Sequence, residues 1–243
     1  PAPGVRWLGR SIASLSTLAA VLVVGSNVRK DHPLFAQRIR QAQRKGGVVS
    51  SVNSVQPDWA MPVANSLVAC ASEWLRALAE IAAAVARTNE VAAPVSDIEP
   101  SAVSSDIAKA LLRGENKAIL LGNAAAHHSQ ASKLLALCNW IGEQTGASVG
   151  YLTEAANTVG AQWVNALPDA GALHAGQMLS GALKGVLLLN TEPVWDSAAG
   201  AGAVGALAGA DMVVTLSPFK TNMDFSDVLL PIAPFTETPG TFV

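Results

Sequence analysis

Short runs of aliphatic and β-branched residues, each closed by small or polar residues, recur along the chain. They cover residues 20–24 before Gly25-Ser26-Asn27, 48–52 before Asn53, 118–121 before Gly122-Asn123, 186–189 before Asn190-Thr191-Glu192, and 212–216 before Ser217-Pro218. Because these runs, apart from Ser50 and Ser51, are apolar at nearly every position rather than at every second one, they predict strands buried on both faces, as in a parallel sheet covered by helices. A sixth, shorter run at 228–230 ends at Pro231.

Stretches with helical spacing lie between the runs. Residues 34–45, after Pro33, mix Leu34, Ile39 and Ala42 with Arg38, Arg40, Gln41, Arg44 and Lys45, then stop at Gly46-Gly47. Cations in the last turn and a glycine stop mark a helix end. Residues 72–87 place Trp74, Leu75, Leu78, Ile81 and Val85 three and four apart. Residues 129–144 supply Leu134, Leu137, Cys138 and Ile141 before Gly146. Strands alternating with helices predict an α/β fold with mostly parallel sheet and right-handed crossovers.

Residues 88–105 carry Pro94, Pro100 and several serines, which reads as a linker or long surface loop. The expected organisation is a partial α/β domain at 1–95, a linker at 96–105, and a second α/β domain at 106–243, truncated at its C-terminus. No fixed-period repeat is evident in the sequence. Pro1 in place of an initiator methionine, and an apolar run up to Val243 with no turn or cap, read as a piece cut from a longer polypeptide.

Composition narrows the function. The 243 residues hold 16 Lys+Arg and 18 Asp+Glu, a formal charge of -2, which argues against a nucleic-acid partner held by phosphate neutralisation. With 50% hydrophobic and only 14% charged residues, the chain can bury a large core and is not disordered. The best candidate for a membrane span, 12–24, is too short and is interrupted by Ser14, Ser16 and Thr17, so no direct span is expected. Cys70 and Cys138 are too far apart in sequence for a CxxC site and read as reduced thiols, so no thiolate-held metal or cluster is expected.

In open α/β sheets, ligands bind outside the carboxyl ends of the strands, where helix N-termini present free N–H groups. The candidate cofactor-binding residues are therefore Gly25, Ser26, Asn27, Gly122, Asn123, Asn190, Thr191, Glu192 and Ser217. The plainer alternative is that any α/β protein needs glycine and asparagine at such turns. No GxGxxG or P-loop motif follows a strand, and Gly200 to Gly205 falls in an Ala/Gly-rich helical stretch. His127 and His128 are adjacent and diverge, reading as helix-entry residues beside Ser129. His32 and His174 read as surface residues. The acidic residues of the last quarter show no acid–base spacing, and no G-x-S-x-G elbow occurs, so no catalytic residue is assigned.

Four segments occur in one family's order: 151–161, beginning Tyr151-Leu152-Thr153-Glu154-Ala155-Ala156-Asn157; Leu187-Leu188-Leu189-Asn190-Thr191-Glu192-Pro193; Ala210-Asp211-Met212-Val213-Val214; and 227–243, ending Glu237-Thr238-Pro239-Gly240-Thr241-Phe242-Val243. With the strand, turn and helix from Val21 to Val48, they resemble the large iron–sulfur, molybdopterin-oxidoreductase-type subunit of bacterial NADH:quinone oxidoreductase, respiratory complex I. The resemblance is weakest at 58–105.

The resemblance implies a three-layer αβα fold like that of formate dehydrogenase and dimethyl-sulfoxide reductase, in which the strand-end loops hold bis-molybdopterin guanine dinucleotide. It also implies that this domain has lost the pterin and holds no cofactor, and that iron–sulfur clusters lie in an N-terminal part outside this sequence. It further implies that the partners are other subunits of the complex I peripheral arm, at the cytoplasmic face of the bacterial inner membrane. Trp59-Ala60-Met61-Pro62 and residues 163–167 are candidate contact faces. Two alternatives stay open: part of an active molybdopterin guanine dinucleotide oxidoreductase such as a formate dehydrogenase, and a nucleotide-binding module like the central domain of thiamine-diphosphate enzymes.

Overall fold

The computed structural model describes residues 6–181 and 183–242. Pro1 and Val243, on which the reading of the chain's ends rests, lie outside the described residues. The chain forms two compact units, Pro1–Val159 and Gly160–Val243.

The first unit is built on five parallel strands: β1 (Ala20–Val24), β2 (Val48–Asn53), β3 (Asn65–Val68), β4 (Lys117–Leu121) and β5 (Ser148–Tyr151), in the order β3-β2-β1-β4-β5. Its helices are α1 (Val28–Asp31), α2 (Pro33–Arg44), α3 (Trp74–Asn89), α4 (Ala102–Leu112), α5 (Asn123–Ala126) and α6 (Ala131–Thr145). All five residues of β1 are buried. Val21 and Val23 pack with Leu15, Ile39 and Ala42 on the α2 side, while Ala20, Leu22 and Val24 pack with residues of α3, α4 and α6 on the other. Helices on both faces make this unit the expected three-layer αβα sandwich.

Local chemistry sets the helix ends. Pro33 opens α2, and Gly46, at φ 96°, follows its end. The small side chains of Ala77, Ala82 and Ala86 let α3 bury most of its surface, and α3 ends at Glu90 in the left-handed region. Serine density at 101–105 reads as a loop, yet Ser101 caps α4 by accepting a hydrogen bond from Ser104 N. The boundary expected at 96–105 therefore fails. That segment opens a helix that feeds β4 into the same sheet as β1, and the units divide at Val159. The short strands β3 and β5, with four residues each, carried too little apolar pattern to be predicted.

In the second unit, β6 (Gly185–Leu189), β7 (Met212–Ser217) and β8 (Val228–Pro231) form a parallel sheet in that order. The remaining helices are α7 (Thr158–Trp163), which straddles the division, α8 (Ala175–Ser180), α9 (Pro193–Asp196) and α10 (Gly202–Ala208). Leu188, Val213 and Leu207 form a small core with Leu179, Val186 and Phe225.

In the first unit, Glu80 accepts hydrogen bonds from Ser101 N at 3.2 Å and Ser104 Oγ at 3.0 Å. Burial pushes its pKa up, but these bonds together with Arg76 outweigh that and hold it below the usual carboxylate value. A depressed folded pKa stabilises above the unfolded pKa and ceases to do so as pH falls through the folded one. Glu80→Gln should therefore cost about 1 kcal/mol at pH 7, with the difference shrinking below about pH 4, as read by urea unfolding. Cys70 is exposed, whereas burial pushes the Cys138 thiol up to about 12. A thiol reagent should titrate one cysteine in the native protein and the second only on unfolding.

Candidate functional site

The strand order of the first unit reverses between β1 and β4, the position where open α/β sheets bind ligands. Gly25, Ser26 and Asn27 follow β1, and Gly122 and Asn123 follow β4, so the structure brings these five together. The two turns are packed on each other. Gly25 sits at φ +64°, and a Cβ there would lie 2.7 Å from Ala125 N and 2.8 Å from the Trp74 ring. A Cβ on Gly122 would lie 2.6 Å from Gly25 O and closer still to Ser26 Cβ. Main-chain bonds close the junction: Gly122 N donates to Val24 O at 2.8 Å, and Ala124 N to Gly25 O at 3.1 Å. Trp74 Nε1 donates to Ala69 O, and its ring stacks on His128 at 5.9 Å.

The β1 turn carries its own anion. Asp31 Oδ2 accepts from Ser26 Oγ at 3.2 Å and from Asn27 N at 3.1 Å. Asn53 Nδ2 donates to Ser26 O at 3.1 Å, tying the turn to the end of β2.

The second unit repeats this arrangement after β6. Asp196 Oδ2 accepts from Thr191 Oγ1 at 3.3 Å and from Glu192 N at 2.7 Å. Asn222 Nδ2 donates to Thr191 O at 2.9 Å. Asn190 takes φ 47°, as Gly25 takes φ 64°. Asn190 N donates to Leu216 O, which sets the turn beside the end of β7, where Ser217 is buried and accepts from Phe219 N at 3.0 Å. Asn190, Thr191, Glu192 and Ser217 are thus brought together within the second unit.

Sequence reasoning missed Asp31, Asp196, Asn53, Asn222 and the place of Trp74. A hydroxyl residue two positions past a strand with an aspartate five residues on occurs at Ser26/Asp31 and at Thr191/Asp196, and that shared spacing was the available signal.

The Oδ1 of Asn123 is buried and has no hydrogen-bond partner among the described residues. His127 pairs with Glu154 at 2.6 Å on an exposed surface. His128 donates from Nε2 to Ala71 O and accepts at Nδ1 from Gln130 N, so the two histidines do diverge. Ser129 is not the cap expected there, because α6 begins after Gln130. His32 is half-buried rather than on the surface, donates to Thr153 O at 2.7 Å and stacks on Phe35. His174 is exposed and caps α8. Trp59, offered as a contact face, is 4% exposed and packs in the core on the α2 side, whereas Trp163, Val164 and Leu167 are exposed.

Among the described residues, no group of three or more His, Cys, Asp or Glu could hold a metal ion, and no helix is long and apolar enough to cross a membrane. A groove of about 700 Å³ lined by Ala19, Gly46, Asn65, Lys109 and Arg113 lies at the amino ends of the strands of the first unit, the edge opposite the switch point. A smaller cavity of about 180 Å³, lined by Met178, Val186, Leu207 and Thr191, lies under the β6 turn.

Asp31→Ala and Asp196→Ala should each lower stability by about 1 kcal/mol, since each frees a hydroxyl and a turn amide. Gly122→Ala, which drives a methyl into main chain, should cost about 3 kcal/mol. Chemical denaturation of each variant checks both figures, and equal costs for all three would contradict the packing described.

Comparison with known proteins adds two findings. The structure resembles a chain of the formyltransferase/hydrolase complex (FhcABCD) from Methylorubrum extorquens, solved by X-ray crystallography with methylofuran. The TM-score is 0.58 at 15% sequence identity, a likeness of fold. The match covers 95% of this chain, which spans 66% of that one. No curated protein matches the sequence. The family model described as "Molybdopterin oxidoreductase" matches residues 4–243, nearly the whole chain, and the protein therefore belongs to the molybdopterin oxidoreductase family.

Proposed function

We propose that this chain is a structural, non-catalytic part of the large iron–sulfur subunit of a bacterial NADH:quinone oxidoreductase. Its partners are other subunits of the peripheral arm at the cytoplasmic face of the inner membrane. Electrons would pass from NADH through groups on other chains and through iron–sulfur clusters in an N-terminal part outside this sequence, while this domain holds neighbouring subunits in place. The motifs from Tyr151 to Ala161, Leu187 to Pro193 and Glu237 to Phe242 support the family branch.

The observation that carries the scaffold reading is the closed state of the strand-end turns. Molybdopterin guanine dinucleotide carries a pyrophosphate, which needs unengaged N–H and hydroxyl donors and no competing negative charge. At the turns after β1 and β6 those donors are taken by Asp31 and Asp196. The Trp74 ring and the Ala125 main chain occupy the space beside Gly25. As they stand, these turns do not fit a pyrophosphate.

A second reading, a domain that holds the pterin in an active oxidoreductase such as a formate dehydrogenase, draws on one observation. Asn123 Oδ1 is a buried acceptor without a partner among the described residues, and a ligand N–H group would satisfy it.

Analysis of the native polypeptide for molybdenum, tungsten and released guanine nucleotide separates the two. We expect none of the three at stoichiometric level, together with co-purification of an NADH-oxidising assembly. Stoichiometric metal with guanine nucleotide would overturn the scaffold reading and make the strand-end turns a cofactor site.

A further inference from the structure

The sheet of the first unit has two edges, and the chain closes only one of them. At β5, Tyr151 N donates to Trp7 O at 2.8 Å, and Leu8 and Gly9 lie against Val149 and Gly150. At β3, no strand of the described chain pairs on the side away from β2. Val68 stands opposite Asn53 in register, and Asn53 O accepts from Ala69 N at 3.0 Å. The N–H and C=O of Val68 therefore point away from β2, as do those of Ser66, and no bond from the rest of the described chain reaches them.

Open edges are commonly blunted by charge, proline or a bulge. Asn65-Ser66-Leu67-Val68 carries neither charge nor proline, and its register against β2 runs without a bulge. All four residues are at least partly exposed, whereas every residue of β1 is buried.

Two grooves flank this edge on the side of α3 and α4. The groove of about 700 Å³ has Asn65 on one wall and Lys109 and Arg113 on the other. A second, of about 240 Å³, sets Leu67 and Ala69 opposite Glu73, Arg76 and Glu80. Alternate residues of β3 thus lead from one groove into the next. The charges left free in them are opposite. Lys109 is held by Asp106 at 2.9 Å, which leaves Arg113 without an ion pair among the described residues. Glu80 is held by Arg76 at 3.5 Å and by Ser101 and Ser104, which leaves Glu73 unpaired among them.

We propose that the open edge of β3 is the binding site for an extended segment of a partner polypeptide, which joins the sheet as a further strand. Main-chain bonds to Ser66 and Val68 supply affinity, and the two grooves select side chains. The segment carries an acidic side chain toward Arg113 and a basic one toward Glu73, two or four residues apart, so that both fall on the same face. The edge is separated from the β1–β4 switch point by β2, and the inference stands whichever reading of that site holds.

The test selects random octapeptides displayed on phage against the native polypeptide that carries this sequence. Enriched peptides should share an acidic and a basic residue at that spacing. Val68→Pro removes an amide that faces away from β2, and should weaken the best peptide by about tenfold or more, while Val68→Thr, which keeps the amide, should change binding by less than about twofold. Arg113→Glu should weaken it by about tenfold, with recovery when the acidic residue of the peptide is replaced by lysine. The exposed Arg113 site decides the matter should Val68→Pro not fold. Failure to enrich any peptide, or Arg113→Glu binding the peptide as the parent does, would overturn the proposal. So would a defined dimer by light scattering that Val68→Pro dissociates, which would make the occupant a second copy.

Discussion

A strand whose every residue is apolar has two faces to keep from water, and that requirement organises this molecule. In β1 the five residues divide between two clusters, Val21 and Val23 toward α2, and Ala20, Leu22 and Val24 toward α3, α4 and α6. Neither helical layer alone would bury the strand. Because a parallel sheet needs long crossovers, the chain supplies the layers in the act of returning from one strand to the next. The alanine content of α3 follows from the same demand, since small side chains let a helix lie close on a sheet already crowded with branched residues.

Covering both faces leaves the carboxyl ends of the strands as the place where the main chain must turn sharply with its N–H groups unpaired. Open α/β proteins that bind nucleotides leave those donors to the ligand. Here the donors find partners within the chain. The glycines at 25 and 122 let the two turns touch, and an aspartate one helical turn downstream accepts from a hydroxyl and an amide in each unit. A site closed this way gains stability from bonds that a ligand would otherwise make.

Much of this architecture was legible in the sequence because long apolar runs survive as a signal without any knowledge of their neighbours. Residues 20–24, 48–52, 118–121 and 212–216 each became strands, and the stripes in 34–45, 72–87 and 129–144 became helices. What escaped were elements defined by context. The four-residue strands β3 and β5 owe their existence to the strand beside them. The helix α4 begins in a serine-rich stretch because Ser101 is a cap and Ser104 a buried donor to Glu80. The candidate residues lie at the carboxyl ends of β1, β4, β6 and β7, but the groups that answer them, Asp31, Asp196, Asn53 and Asn222, were visible only once the chain had folded. Trp59 illustrates the opposite error, for a tryptophan beside proline and turn residues reads as a contact face and instead fills the core.

The repeat escaped for a related reason. What the two turns share is a set of physical roles, and each role admits more than one residue. A left-handed backbone is met by Gly25 in one unit and by Asn190 in the other, a hydroxyl donor by Ser26 or Thr191, and an entry to the short helix by Val28 or Pro193. Only the acceptor, aspartate, is the same in both, because it must reach a hydroxyl and a main-chain amide at once. The roles diverge at one position. Glu192 stands where the first unit has Asn27, so the turn of the second unit carries two acidic residues where the first carries one. Like charges so placed oppose a phosphate more strongly than Asp31 alone does, and the second turn is therefore the less hospitable of the two to an anionic ligand.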